Sequence, residues 1–447
     1  MRIPVLVVLP AQDSLREAAL EAIQHRPPES SLESATAPGG IELDLSFSPV
    51  AIGGAGDRES SLESLQPEES EQFVVRGFLD AASPTDVPAA VGGQRVFCDI
   101  PIQPFVTCGN DRPLGDVALV RQKLRLAALA AKGLDGSDVA IAIVDNGIDL
   151  DHLTTKLGST PRLDVANSWS APTLVTPPGG HATDHGTMCA YDALIAAPAA
   201  TLLDFPVLTR GGPGGSAASG TIGTALQAFS SLLTSWRVTY APDGLWKYRG
   251  LVVSNSWGIY DADWDFPPGH PGRYIDNPMH PFNQIVRVLA SVGADIVFAA
   301  GNCGADCADA RCRGRTRGTI MGANALPDVL TIAGCDTNGQ RVGYSSQGPS
   351  IPGMYAEKPD LTTYTHFLGS ETFGAGTPDS GTSTACPVAA GCVAALRTRL
   401  PPDGKPPAQL FAQLRASATP AAGSAGWNAD YGHGLLDPLA AANALGL

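Results

Sequence analysis

The sequence predicts a doubly wound α/β fold, in which a mainly parallel sheet has helices on both faces, together with a small N-terminal α+β domain. Beyond residue 104, apolar runs that end in a polar or glycine turn alternate with helical patterns such as 220–233 and 281–292. Fully apolar strands that alternate with helices are typical of a parallel sheet covered on both faces. Residues 1–100 carry 16 acidic and 6 basic side chains, whereas the remaining 347 residues carry 28 and 23, which sets the first part of the chain apart.

We therefore expect residues 1–105 to form one domain and residues 106–447 a larger one. The first domain has β-like runs at 3–9, 41–52, 72–79 and 95–100, and helical patterns at 14–24 and, more weakly, at 86–91. The resulting order β-α-β-β-α-β is that of a ferredoxin-like unit. The acidic stretch 56–71 between the second and third runs is expected to be a mobile loop.

The larger domain is predicted to begin with one helix over 118–132, which stops at Gly133 as a helix should. The strands that follow lie within "DVAIAIVDNGID", "ATLLDFPVL", "GLVVSNSWG", "DIVFAAGN" and "DVLTIAG". Functional groups in such sheets collect at the carboxyl ends of the strands. The residues that directly follow each apolar run are therefore the first candidates for a functional site.

Composition excludes several classes of protein. With 447 residues, 44% apolar and 16% charged, the chain can bury a sizeable core. Its net charge of −15 argues against a nucleic-acid partner, because phosphate binding needs clustered Lys and Arg. No apolar run approaches the ~20 residues that cross a bilayer. The start of the chain lacks the long apolar core of a secretory signal, and nine cysteines leave at least one unpaired in a monomer, so these features favour a cytoplasmic location.

Four polar residues stand at strand ends or helix starts, in the order Asp145, His185, Asn302 and Ser383. Each has a plainer interpretation alone: Asp and Asn are common in turns, and Ser is a common helix cap. Together they are the residue types that nucleophilic acyl transfer requires. A serine hydroxyl needs a base, an imidazole can act as that base, a carboxylate orients the imidazole, and a side-chain amide can donate to an oxyanion.

The motifs that carry these residues are "VDNGID", "HGT", "AAGN" and "GTSTACP", and in this order they resemble those of the subtilisin-like serine proteases, or subtilases. The order Asp, His, Ser is also that of subtilisin. The resemblance extends from about residue 119 to the C-terminus and implies a serine endopeptidase that acts on polypeptides. It implies that Asp145 orients His185, that His185 activates Ser383, and that Asn302 and the backbone N–H of Ser383 hold the oxyanion.

The resemblance also assigns a substrate-binding edge to the strand "VVSNSWG", where Ser256, Trp257 and Gly258 would pair with the peptide. It requires no cofactor or metal, allows a structural calcium ion, and makes secretion the family default. The chain departs from the family pattern at Asn146, Tyr191, Cys386 and Val388, none of which removes a catalytic group.

Two further stretches lie close to the expected cleft. Cys303, Cys307 and Cys312 follow the oxyanion residue and could form a disulfide, bind a metal or remain free thiols. In subtilases this region borders the specificity pocket. Asp306 and Asp309 would favour a basic substrate side chain if they faced the cleft, whereas the four arginines Arg311, Arg313, Arg315 and Arg317 would favour an acidic one. The stretch 260–280 is either a rim that narrows access or an ordinary surface loop.

The N-terminal domain has two interpretations. In subtilases a ferredoxin-like propeptide often assists folding and then blocks the cleft, so residues 1–105 are expected to act as chaperone, inhibitor or both. Cleavage by Ser383 is then expected within roughly ten residues of Cys108. The alternative is a permanent accessory domain. Two other functions compete with the peptidase: a non-catalytic subtilase-like scaffold, and a nucleotide-binding enzyme, for which the glycine-rich stretches lack the required motifs.

Overall fold

A computed structural model describes residues 1–23, 28–52, 72–104, 112–171, 174–209, 220–237, 247–421 and 426–447. The acidic stretch 56–71 and the expected cleavage region around Cys108 lie outside the described residues. Within the described part of the chain, no helix combines the length and the apolar character needed to cross a membrane.

The N-terminal part forms one antiparallel sheet with a short helical layer. Its elements are β1 (Arg2–Pro10), α1 (Asp13–Ile23), α2 (Glu29–Leu32), β2 (Ile41–Leu43), β3 (Val50–Ile52), β4 (Gln72–Asp80), β5 (Ala90–Val91) and β6 (Gln94–Cys98). The strand order is β2-β4-β1-β6-β5, and β3 also pairs with β4. The first and third predicted runs therefore lie side by side in the middle of the sheet, as the ferredoxin-like prediction requires.

The helix predicted at 86–91 is wrong. Val87 precedes Pro88 and is extended, because a proline disfavours the α conformation in the residue before it. Val91 then pairs with Gln94 across a two-residue turn whose glycines both have positive φ, 55° at Gly92 and 82° at Gly93. Such a turn needs positive φ at both central positions, so Gly-Gly specifies a β-hairpin here.

The larger part is built on a seven-stranded sheet in which every pairing is parallel, with the order β16-β15-β14-β12-β8-β10-β9. Its strands are β8 (Val139–Asp145), β9 (Arg162–Leu163), β10 (Thr201–Pro206), β12 (Gly250–Asn255), β14 (Asp295–Ala299), β15 (Leu330–Cys335) and β16 (Leu361–Tyr364). A separate small sheet contains β7 (Pro101–Pro104), β11 (Gly220–Thr221) and β13 (Trp257–Gly258). The predicted doubly wound α/β class is confirmed.

The helices of the larger part are α3 (Val117–Lys123), α4 (Leu126–Ala131), α5 (Leu150–Leu157), α6 (His185–Ala196), α7 (Ile222–Arg237), α8 (Pro281–Ser291), α9 (Thr382–Arg397), α10 (Pro407–Ala416) and α11 (Pro438–Ala444). The single helix predicted over 118–132 is two helices, α3 and α4. The break falls at Arg125, whose φ of 55° is left-handed and whose guanidinium pairs with Asp437, the cap of α11. The left-handed conformation of Arg125 thus separates the two helices.

The residues of β8 alternate between two apolar cores. Val139, Ile141 and Ile143 belong to the core that contains α6 and α9, whereas Ala140 and Ala142 belong to the core that contains α7 and α8. The second of these cores continues without interruption into the buried side of the N-terminal sheet. The N-terminal part therefore shares its hydrophobic core with one helical layer of the larger part.

A buried ion pair fixes the far end of α9. Arg397 Nε and Nη2 donate to the two carboxylate oxygens of Asp295 at 2.5 and 2.7 Å, and neither side chain is exposed. Arg397 Nη1 also donates to the carbonyls of Leu400 and Lys405. All three nitrogens of the Arg397 guanidinium therefore donate hydrogen bonds. Removal of either Arg397 or Asp295 would leave the other charge buried without its partner.

We expect Arg397→Met to lower the free energy of unfolding by about 3–5 kcal/mol, because Asp295 stays buried without its partner. Denaturant unfolding in a Ser383→Ala background, which prevents self-digestion, measures this. The double variant Arg397→Met with Asp295→Asn should recover part of the loss. The control is Arg287→Met, which breaks the surface pair with Asp328 and should cost about 1 kcal/mol or less. Equal losses in the two single variants would contradict this role.

Candidate active site

The parallel sheet brings three of the predicted residues to one edge. Asp145 is the last residue of β8, Ser256 follows β12, and Asn302 lies three residues beyond β14. These three strands are neighbours in the order β14-β12-β8. From β8 the chain first adds strands on one side of the sheet, β9 and β10, and then adds β12 and the later strands on the other side. A crevice forms where the strand order reverses in this way, and ligands of α/β proteins bind there.

Asp145 and His185 form a buried pair. His185 Nδ1 lies 2.8 Å from Asp145 Oδ1, and the two residues are 6% and 1% exposed. His185 is the first residue of α6, which the side chain of Asp184 caps. The next residue must be glycine, because a Cβ on Gly186 would lie 2.2 Å from the carbonyl oxygen of Gly147.

The structure explains one departure from the family pattern. Asn146 Oδ1 accepts a hydrogen bond of 2.7 Å from the backbone N–H of Gly186. This bond satisfies one of the donors that a helix start leaves unpaired. Asn146 therefore ties the end of β8 to the start of α6, and so helps to hold Asp145 beside His185.

Cys189 lies at the centre of the site, although it is not one of the predicted site residues. Its Sγ is 3.9 Å from His185 Nδ1, 3.7 Å from Asp145 Oδ2 and 3.6 Å from the carbonyl oxygen of Ser383. One sulfur atom thus contacts all three predicted catalytic residues. Burial and then the charge of Asp145 raise the pKa of the Cys189 thiol well above its usual range. The available signal was its position four residues after His185, on the same face of a helix.

Ser383 is the second residue of α9 and is fully buried. Its hydroxyl donates to the carbonyl oxygen of Ser256 at 3.1 Å, and the hydroxyl of Ser256 donates back to the carbonyl of Ser383 at 2.9 Å. The helix start and the end of β12 are therefore directly joined.

Asn302 is held by the same helix start. Its Oδ1 accepts from the backbone N–H and the hydroxyl of Thr382, both at 3.0 Å. The preceding Gly301 has φ of 103° and donates its N–H to the hydroxyl of Thr382. The carbonyl end of the amide is therefore fixed against the residue before Ser383, which determines the orientation of the donor end, Nδ2.

The predicted substrate-binding edge is paired with the chain's own segment. Strand β7 lies between β11 and β13 and is antiparallel to both. Gln103 pairs with Gly258 and Pro104 with Trp257, while Ile102 pairs with Gly220. In this register β7 runs towards Ser256, the residue that accepts from Ser383. The three-stranded sheet therefore holds an extended peptide that points at the candidate nucleophile.

The cysteine-rich loop contains disulfides. Cys303 and Cys312 are joined to each other, and Cys307 is also disulfide-bonded. Of the three alternatives left open by the sequence, the metal site and the free thiols are wrong. The charged residues of the loop have different partners. Asp306 pairs with Arg341, whereas Arg311 contacts β7.

The stretch 260–280 is more than a simple surface loop, because it contacts the N-terminal part, and its role as a rim of the cleft stays a prediction. The carbonyl of Gly272 accepts from the N–H of Cys98 at 2.9 Å, and His280 Nε2 lies 3.2 Å from the carbonyl of Cys98. Within the stretch, Tyr274 and Phe266 are buried. The aromatic and proline-rich composition therefore reflects packing between the two parts of the chain.

Metal ligation offers one candidate group within the described residues. Donor atoms of Asp145, His185 and Cys189 all lie within 4.8 Å of one another, and all three residues are buried. A thiol and an imidazole suit a soft metal such as zinc and not calcium, which takes six to eight oxygen ligands.

Comparison with known proteins identifies the family. The profile of the subtilase family, Peptidase_S8, matches residues 136–434, about two thirds of the chain. The chain therefore belongs to the subtilase family of serine proteases. Every predicted site residue lies within the matched region.

Individual relatives are distant. The calcium-dependent protease of Trichormus variabilis is 26% identical over 304 residues, which are 60% of this chain and 40% of that protein, so the chain spans well under half of this relative. Subtilisin E of Bacillus subtilis is 25% identical over 331 residues, 72% of this chain and 70% of that protein. Among solved structures, MycP1 with its N-terminal propeptide removed is 21% identical, has a TM-score of 0.48, and covers 74% of this chain and 96% of its own.

A pocket of about 560 Å³ opens beside the Asp145–His185 pair and is lined by Asn146, His181 and Asp184 among others. Behind it, Asp204 on β10 is fully buried, and its Oδ2 accepts from the N–H groups of Gly179 and Ile148 at 2.8 and 3.3 Å. Burial raises the pKa of Asp204 to about 7, although these two N–H groups oppose the shift. The carboxyl is therefore partly protonated near neutral pH.

The buried Asp204 should make stability depend on pH. Its pKa is raised on folding, so its contribution is fully present below the unfolded pKa of about 4 and is lost as pH rises towards 7, at up to about 1.4 kcal/mol per pH unit. We expect the stability of Asp204→Asn relative to the parent to increase over this range, measured by thermal unfolding in a Ser383→Ala background. Asp138→Asn, an exposed control, should show no such trend. A difference that is constant from pH 4 to 8 would contradict the assignment.

Proposed function

We propose that this chain is a serine endopeptidase in which Asp145, His185 and Ser383 form the catalytic triad. The observation that carries the proposal is the convergence of all three residues on Cys189, with the Asp145–His185 bond already formed. The hydroxyl of Ser383 attacks the scissile carbonyl carbon while His185 Nε2 takes its proton. When the C–N bond breaks, His185 returns the proton to the leaving amine, and water then hydrolyses the acyl-enzyme by the same steps.

Asp145 supports this chemistry through its contact with Nδ1. The hydrogen bond fixes the tautomer that leaves Nε2 able to accept a proton, and the carboxylate stabilises the imidazolium that forms. Because Asp145 is buried, its interaction with the imidazolium is weakly screened by solvent. Burial of the Cys189 thiol, which raises its pKa, keeps this neighbour neutral, so that it does not compete for the proton.

The oxyanion is held by the start of α9 and by Asn302. A helix start presents unpaired N–H groups and the positive end of the helix dipole, and both favour a developing negative charge. The backbone N–H of Ser383 is one donor. Asn302 Nδ2 is the other, because Oδ1 already accepts from Thr382. Both donors are positioned before the reaction, which is the condition for effective electrostatic stabilisation.

The substrate binds as an added strand along Ser256, Trp257 and Gly258. The pairing of β7 with β13 supports this, because it shows that an extended peptide fits the edge. Trp257 is fully buried and its indole N–H donates to the carbonyl of Val144, so the edge is rigidly attached to β8. Main-chain hydrogen bonds supply affinity, and side-chain subsites supply specificity.

No calcium-dependent step is part of this proposal. Calcium appears in the names of two relatives. The described residues contain one group of three ligating side chains, and its thiol and imidazole donors do not suit calcium.

Residues 1–105 are proposed to act as a folding aid and an inhibitor of the remainder. The continuous core with α7 and α8 means that part of the larger domain's apolar surface is buried only when the N-terminal part is present. Strand β7 occupies the substrate edge, so peptides in solution must displace it. A permanent accessory domain would also share its apolar core with α7 and α8, but it would never leave the cleft.

Ser383→Ala should abolish hydrolysis of a casein or quenched-peptide substrate, because no other hydroxyl occupies the start of α9 in the same position. The free energy of unfolding should change little. Circular dichroism establishes that the variant is folded. More than a few per cent of wild-type turnover in the folded variant would exclude Ser383 as the nucleophile.

The wild-type chain should cut itself within roughly ten residues of Cys108, and Ser383→Ala should remain intact, since β7 runs towards Ser256 and Ser383. N-terminal sequencing of both purified proteins measures this. A peptide of residues 1–105 added in trans to a chain that starts at Asp111 should inhibit hydrolysis or raise the refolding yield. If it does neither, residues 1–105 are not a propeptide.

A further inference from the structure

Arg311, on the disulfide-closed loop after Asn302, reaches the segment that occupies the cleft. Its Nη1 donates to the side-chain oxygen Oε1 of Gln103 at 2.8 Å. Gln103 is the residue of β7 that pairs with Gly258, and it is fully buried. The side chain of a strand in the cleft therefore ends on a guanidinium and not in solvent.

Arg311 is held in place from three sides. Its Nε and Nη2 donate to the two oxygens of Asp309 at 3.0 and 3.1 Å, and Nη2 also donates to the hydroxyl of Tyr260 at 2.8 Å. The guanidinium carbon lies 3.8 Å from the centre of the Tyr260 ring. The Cys303–Cys312 disulfide closes the loop directly beside it. An arginine fixed in this way presents its remaining donor without further loss of side-chain freedom.

The subsite formed by Arg311 and Asp309 has nearly balanced charges. Asp309 offsets the charge of Arg311, and both of its oxygens are engaged by the guanidinium. What the subsite offers to a substrate is therefore a hydrogen-bond donor, Nη1. An acceptor at the end of a two-methylene side chain satisfies it, whereas a lysine brings a second cation and no acceptor. An alanine leaves Nη1 without its partner in a buried position, which costs free energy.

We propose that Arg311 is a specificity-determining residue, and that it selects substrates with glutamine or glutamate at the position that pairs with Gly258. This inference rests on the proposed peptidase function and on the binding of substrate in the register of β7. It answers the question that the mixed charges of the loop raised: Arg311 faces the cleft, Asp309 serves to position it, and Asp306 is paired elsewhere with Arg341.

The test uses four internally quenched peptides with the chain's own sequence 101–114, in which serine replaces Cys108. They differ only at the residue that corresponds to Gln103, which is Gln, Glu, Ala or Lys. With wild-type protein that has first been incubated to allow self-cleavage, so that β7 can leave the substrate edge, we expect kcat/KM for the Gln and Glu peptides to exceed that for the Lys peptide by about tenfold or more, with Ala between them. Mass spectrometry of the products must show the same cleavage position in all four.

Variants then assign the preference to Arg311. Arg311→Met should lower kcat/KM for the Gln peptide about tenfold and leave the Ala peptide almost unchanged. The matched control is Arg315→Met on the same loop, where an exposed arginine lies 4.0 Å from Asp263, and it should keep the wild-type preference. Arg311→Glu should invert the preference towards Lys.

The outcomes separate the two proposals. If all four peptides are cut with equal kcat/KM, the role of Arg311 is wrong and the peptidase function stands. This comparison uses the wild-type protein, so it holds even where a variant does not fold. If no peptide is cut and the protein neither cuts itself nor hydrolyses casein, the peptidase function fails and the inference about Arg311 fails with it. If casein is hydrolysed and none of the four peptides is cut, the role of Arg311 alone is wrong.

Discussion

The close packing of α6 against α9 is the constraint on which the site depends. These helices carry His185 and Ser383 at their starts, and their backbones meet at Gly391, where a Cβ would lie 2.1 Å from the carbonyl oxygen of Ala193. Every residue of α9 is buried, and the helix contains five alanines and one glycine. A helix surrounded by protein on all sides must use small side chains where a neighbouring helix approaches this closely. This spacing lets one sulfur, that of Cys189, contact both His185 and Ser383.

The cleft follows from a second constraint, the hydrogen bonding of an exposed strand edge. Trp257 and Gly258 form a short edge strand outside the main sheet, and an unpaired edge is a template for another extended chain. In the full-length chain β7 provides that partner, and Arg311 and Tyr260 bind its side chain and backbone. The contacts that we propose for a substrate are therefore the ones that hold the N-terminal part in place.

The sequence predicted the local features well, because each depends on neighbouring residues. The apolar strands of the large sheet and the helix start at Ser383 have strong local patterns, and the confirmed fold class follows from them. The predictions that failed depend on contacts that are distant in sequence or on turn chemistry. The helix expected at 86–91 ignored the Gly92–Gly93 turn. The split between α3 and α4 occurs at Arg125, whose left-handed conformation is uncommon for a residue other than glycine. The contact of Arg311 with Gln103 joins residues 208 positions apart, so no local pattern could reveal it. The boundary at residue 105 stays a prediction.

Labelling with a fluorophosphonate tests most directly whether the packing of α6 and α9 creates a reactive serine. The full-length protein is incubated with the probe, digested, and analysed by mass spectrometry. His185→Ala is treated in the same way, and so is the control Asp138→Asn, which changes an exposed side chain. The account predicts that the probe modifies Ser383 in the wild type and in the control, and that the rate falls by at least about a hundredfold without the imidazole base. Labelling of Ser383 at an unchanged rate in His185→Ala, or modification of a different residue, would contradict it.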